Sequence, residues 1–164
     1  MRTIELKVFT FDELSEEAKK RALQTNRDVL VESDWWESDF YDAKETADMD
    51  IKEFDIFRGS ITSKIITSCK QSAQKVLENH GDSCATYSIA KKFLSDLDSL
   101  ESQPDTAKTE VLIEDLEDRY KTDMEKQYLR MLDTSYDYLL SDAAIIEFLV
   151  DNEYEFLEDG RSYK

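Results

Sequence analysis

Proline and glycine are nearly missing from this chain: one Pro and three Gly in 164 residues. With 40% hydrophobic and 11% aromatic residues beside that scarcity, disorder is argued against and a folded, helix-rich chain is expected. Cysteine is scarce as well. Cys69 and Cys84 are too few for a disulfide scaffold. The first residues, Met1 to Lys7, alternate charged and apolar side chains instead of building a secretory core. A reducing, cytoplasmic setting is therefore expected. The single histidine, His80, removes most zinc sites and most His-based catalytic arrangements. No run approaches the roughly 18 uncharged apolar residues of a membrane span. The apolar stretch from Ala143 to Val150 contains Glu147.

Positive charge is the largest deficit. Lys and Arg number 21 against 38 Asp and Glu, a net charge of −17. Phosphate is held by Lys and Arg, so direct nucleic-acid binding is excluded, as is adhesion to a membrane through a basic face. The length fits one domain, residues 1–164, with room for a hydrophobic core.

Alternation of Ile4, Leu6 and Val8 with Glu5 and Lys7 predicts a strand over Thr3–Phe11. Asp12, reinforced by Ser15, Glu16 and Glu17, is expected to open a helix carrying Ala18, Ala22 and Leu23. A second helix is expected over Asp34–Met49, with Trp35, Trp36, Phe40, Ala43 and Ala47 at helical spacing. Ile51 to Ile66 reads as a hairpin turning near Gly59. A helix from Cys69 to His80 follows, stopped by Gly81 as a left-handed cap. Another opens at Asp82 or Ser83 and runs through Leu100. Pro104 and Asp105 start the longest pattern, in which Leu112, Leu116, Tyr120, Met124 and Tyr128 recur every fourth residue toward Leu139. Ser141 caps a last helix, Asp142–Asp151, and Tyr154–Leu157 is expected to return as a short strand. The expected fold is α+β: a small antiparallel sheet built from the N-terminal strand, the hairpin and the C-terminal strand, covered by five or six helices.

Charge is unevenly spread. Residues 1–50 hold 14 acids and 7 bases, residues 51–100 hold 6 and 7, and residues 101–164 hold 18 and 7. Two helical rows carry the excess: Asp34, Glu37, Asp42, Glu45 and Asp48, then Glu110, Glu114, Glu117, Asp118 and Glu125. Carboxylates three or four apart repel by a few tenths of a kcal/mol per pair (~0.2–0.5). Such rows either keep a protein dissolved or present regular negative charge to a basic groove.

Clusters such as Glu114–Asp118 and Asp48-Met49-Asp50 lack the alternating ligands and central Gly of a calcium loop, so neither metal nor cofactor is expected. Asn79-His80-Gly81-Asp82-Ser83-Cys84 gathers reactive residue types, but a junction between two helices explains them without a Cys–His nucleophile pair. There is no phosphate loop, no GxSxG and no HExxH, and no enzyme is expected. Adjacent Trp35 and Trp36 point about 100° apart on a helix; core packing accounts for one, and the other, among Asp34, Glu37 and Asp39, suits an aromatic anchor.

The segments Phe11-Asp12-Glu13-Leu14-Ser15-Glu16-Glu17-Ala18-Lys19, Asp34-Trp35-Trp36-Glu37, Tyr41-Asp42-Ala43-Lys44 and Phe54-Asp55-Ile56-Phe57-Arg58-Gly59 together resemble a widespread group of short acidic bacteriophage and prophage proteins. The resemblance resumes at Tyr136–Leu139, Ser141–Glu147, Asn152–Phe156 and Glu158–Gly160. Members of that group are mostly uncharacterised and some carry an antitoxin-like label. The resemblance implies an inhibitor of host defence, of the anti-CRISPR type, that blocks a basic nucleic-acid channel. Its expected partner is a basic host protein such as a CRISPR effector or another nuclease. The expected contacts are Asp34, Trp35, Trp36, Glu37, Asp42 and Glu45, with Glu110, Glu114, Glu117 and Asp118. An antitoxin or structural adaptor binding through aromatic and apolar surface is the alternative. A hydrolase with an acidic metal site is a third.

Overall fold

The computed structural model describes residues 6–103 and 106–163. In chain order its elements are α1 (Glu16–Thr25), α2 (Glu37–Ala47), β1 (Met49–Asp55), β2 (Ser60–Ile65), α3 (Cys69–Asn79), α4 (Ala85–Glu101), α5 (Ala107–Leu139) and α6 (Asp142–Asp151). The fold is α+β, with one long helix and a two-stranded antiparallel sheet among the described residues. At 1.5 Å per residue the 33 residues of α5 span about 50 Å. No helix among the described residues is long and apolar enough to cross a membrane.

Residues 36–133 form one compact unit. Its sheet pairs Met49 with Ile65 and Ile51 with Ser63, with a bulge between Ile51 and Glu53. The turn follows from two residues. The Asp55 carboxylate accepts from the Arg58 amide at 2.9 Å, and Gly59 takes φ +66°, which an L side chain would strain. Met49 and Ile51 pack with Val76, Phe93 and Leu97 against Leu116, Tyr120, Met124 and Tyr128. That every-fourth-residue row is the stripe legible in the sequence, though Leu112, its first expected member, stays exposed. Phe93 stacks on Tyr120 at 4.5 Å, and the Tyr120 hydroxyl meets Ser72 Oγ at 2.9 Å. Burial pushes that phenol up to about 12.

Residues 6–35 with 134–163 form a second unit. Ser15 Oγ caps α1 by accepting from Ala18 N, and Ser141 Oγ caps α6 by accepting from Ala144 N. Ala18 and Ala22 of α1 share a core with Phe11, Leu14, Ile145, Leu149 and Phe156. Gly160, at φ +84°, rests on the α1 backbone, where a Cβ would collide with the Ala18 carbonyl.

Several expectations are corrected. Thr3, Ile4 and Glu5 lie outside the described residues. From Leu6 onward there is no N-terminal strand: Leu6 and Val8 are exposed, and Phe9 makes one bridge with Phe156. Alternation has no force without a partner strand, and here the partner is a single residue pair. The expected C-terminal strand is likewise reduced to bridges at Phe156, with Phe9 and with Ser162. Neither joins the hairpin sheet. Asp12 caps nothing; it sits in a 3-10 turn closed by Glu13, whose carboxylate accepts from Thr10 N and Oγ1, and Ser15 opens α1. The second helix starts at Glu37 and stops at Ala47, so Asp34, Trp35 and Trp36 precede it and Asp48, at φ 52°, ends it. Gly81 is not left-handed: α3 ends on an extended His80. Cys84, rather than Asp82 or Ser83, is the N-cap of α4. Pro104 and Asp105 lie outside the described residues.

Candidate functional site

Two acidic rows with similar spacing meet different fates. On α5, turning about 100° per residue, Glu110, Glu114, Glu117 and Asp118 fall within about 100° of one another. Glu110, Glu114 and Asp118 are exposed and Glu117 is half-buried. None of the four makes an ion pair among the described residues. Their field reaches inward: the Cys69 thiol is pushed up to about 11, first by burial and then by Glu117 and Asp118, with Lys121 opposing. Val111 and Leu112, 54% and 39% exposed, lie on the same turns. Farther along, Glu125 has turned inward, accepting from Ser63 N at 2.8 Å and Ser63 Oγ at 2.7 Å, with Lys121 Nζ at 3.7 Å.

The α2 row is broken up. Asp34 is exposed ahead of the helix, and Glu37 and Glu45 are exposed on it. Tyr41 and Lys44, also exposed, share their side of the helix, so that face is mixed rather than acidic. Asp48 pairs with Lys75 Nζ at 2.7 Å and accepts from Thr67 Oγ1 at 2.6 Å. The hydrogen bond from Lys75, then that from Thr67, holds its carboxyl below the usual range.

Asp42 belongs to a polar cluster. Its Oδ2 accepts from the buried Tyr128 hydroxyl at 3.1 Å. Burial and the neighbouring Asp42 charge push that phenol well above the usual tyrosine range. Thr46 Oγ1 donates to the Asp42 carbonyl at 2.7 Å, so at 2.5 Å it accepts from His80 Nε2. That leaves His80 Nδ1 to accept from Thr86 Oγ1 at 2.6 Å. His80 Nε2 stands 3.9 Å from Asp42 Oδ2, and its side chain is only 9% exposed. A cleft of about 480 Å³ opens beside this cluster, lined by Asp42, Asn79, His80, Cys84, Gln127 and Met131 among others. Cys84 is exposed there, but both His80 nitrogens are engaged by threonines, so no base is assembled on its thiol.

The tryptophans pack rather than project. Trp35 is half-buried against Tyr136, ring centroids 5.3 Å apart. Trp36 is half-buried against Phe54 at 5.7 Å, which also meets Phe40 at 5.5 Å. Among the described residues, no group of three or more His, Cys, Asp or Glu is placed to hold a metal ion.

Of the ten residues expected at the site, the structure gathers Glu110, Glu114, Glu117 and Asp118 on one face. Asp42 goes to the cleft, Glu37 and Glu45 to a mixed surface, and Asp34, Trp35 and Trp36 ahead of α2. The Thr46–His80–Thr86 chain and the inward turn of Glu125 were missed. Their partners lie 34 and 62 residues away, and only the lone histidine at a helix junction hinted at either. No protein family, curated protein or solved structure matches the chain, so function rests on this geometry.

Proposed function

We propose that the protein is an inhibitory binding protein that lays the α5 face, Glu110, Glu114, Glu117 and Asp118, against the basic nucleic-acid channel of a partner. The partner class is a host defence nuclease such as a CRISPR effector, in keeping with the resemblance to acidic phage proteins. One observation carries this reading: these four carboxylates share a helix face without ion pairs among the described residues, Lys121 on that face pairing with Glu125, while Asp42, Asp48 and Glu125 are engaged internally. Like charges so placed cost stability, and a cationic surface recovers that cost on docking. The exposed Val111 supplies apolar contact at the edge of that face, and Leu112 is exposed one residue further round the helix. They also favour a second reading, an adaptor or antitoxin that binds mainly through apolar surface, in which charge matters little.

Capture from a nuclease-treated bacterial lysate separates the two. The native chain retains a DNA- or RNA-binding protein, and nucleic acid added afterwards competes it off. The variant Glu110→Lys/Glu114→Lys/Glu117→Lys/Asp118→Lys loses it, and moderate salt weakens retention. Retention indifferent to charge reversal but lost in Val111→Ser/Leu112→Ser supports the adaptor instead.

A further inference from the structure

We propose that the cleft between α2, the α3–α4 junction and α5 is a pocket for an arginine side chain. The inference rests on the basic-partner reading above and names one residue type that the partner presents. Four observations converge. The cleft offers about 480 Å³, and no Lys or Arg is among the described residues that line it. Asp42, its acidic residue, keeps 38% of its side chain exposed while Tyr128 holds Oδ2. Asp42 Oδ1 accepts no hydrogen bond among the described residues, so one oxygen stays open to a donor. Its carboxylate is held by the Tyr128 hydroxyl at 3.1 Å, with His80 Nε2 3.9 Å from the same oxygen and the His80 ring itself wedged between Thr46 and Thr86.

The remaining lining discriminates between cations. Gln127 offers a side-chain carbonyl as a second acceptor, and Met131 offers an apolar, polarizable wall. A guanidinium is planar, carries five donors and is weakly hydrated, so it uses two separated acceptors and an apolar wall together. An ammonium is a compact, strongly hydrated point charge that gains from Asp42 alone. Because Asp42 is already held in place, little side-chain freedom is lost on binding.

The test is an NMR titration of the full chain with acetylated, amidated Gly-Arg-Gly, and Gly-Lys-Gly as comparison. The Met131 methyl and the Gln127 and Asn79 side-chain amides shift saturably, and the arginine peptide binds at least about fivefold tighter than the lysine peptide. Asp42→Asn, which leaves an oxygen for Tyr128, weakens binding about tenfold, the size of one charge-assisted hydrogen bond. Glu78→Gln, an equal charge change on exposed α3 surface, alters it less than twofold. Gln127→Lys, which puts a cation into the lining without touching the bonds of Asp42, blocks the peptide. Shifts spread over the acidic surface, or equal weakening by Asp42→Asn and Glu78→Gln, overturn the pocket. That outcome leaves the α5 face untouched, while a pocket that binds arginine in a chain whose α5 reversals are silent sinks the α5 reading alone.

Discussion

The acids of α2 and of α5 look alike along the chain, mostly three to five residues apart and amphipathically placed, yet the molecule treats them in opposite ways. Asp42 and Asp48 are drawn into hydrogen bonds with Tyr128, Thr67 and Lys75. Glu110, Glu114, Glu117 and Asp118 are left to repel one another. The difference lies in the opposite surface. Toward Asp42 the long helix presents a buried phenol that needs an acceptor, whereas around Glu110–Asp118 the described residues bury only Thr109 and Leu116. Spacing tells which acids share a face. It does not tell whether that face meets protein or water.

The comparison breaks most visibly if Asp42 is removed. Asp42→Ala leaves the Tyr128 hydroxyl buried without its acceptor and is expected to cost about 1–3 kcal/mol in urea unfolding, with the unfolding slope unchanged. An effect near zero would mean that Asp42 belongs with the solvated acids after all. The next contrast is one of pH. The Asp48 carboxyl is held below its unfolded value by Lys75 and Thr67. Its contribution to stability is therefore complete above the ordinary carboxylate range, near ~3.9, and is lost as pH falls through the lower folded value. Asp48→Asn, which tolerates the left-handed backbone at that position, should lose less stability than the native chain over that acid interval. Identical acid limbs would remove Asp48 from the engaged set. The smallest effect has the opposite sign. Glu114 faces Glu110, Glu117 and Asp118 at helical neighbour spacings, so Glu114→Gln should stabilise by about 0.5–1 kcal/mol at low salt and by less at high salt.

Much of this fold was legible because its signals are local. Ser141 followed by an apolar run marks the start of α6, Gly59 marks the hairpin turn, and the row Leu116, Tyr120, Met124, Tyr128 marks the buried side of α5. The N-terminal alternation misled because a strand is defined by its neighbour, and Phe9 has only Phe156 to pair with. Gly81 misled for a related reason: the end of α3 is fixed by the His80 ring, gripped by Thr46 of α2 and Thr86 of α4, so the backbone leaves the helix extended before the glycine is reached. That Glu110, Glu114, Glu117 and Asp118 share a side of α5 was readable from spacing, but the inward turn of Glu125 on the same side was not. The fate of Asp42 was not, because Tyr128 stands 86 residues away. Trp35 and Trp36 were readable as partly buried aromatics, but the rings that hold them, Tyr136 and Phe54, come from distant parts of the chain.

Negative charge left unpaired on α5 is proposed to meet a basic surface. That is tested most directly by measuring the affinity of the captured partner for the native chain and for Glu110→Lys/Glu114→Lys/Glu117→Lys/Asp118→Lys across a salt series. Reversal is expected to lose at least a hundredfold in affinity, from about four charge contacts at ~0.7 kcal/mol or more each, together with a salt dependence that is steep for the native chain and flat for the variant. Equal affinities and parallel salt curves would contradict it.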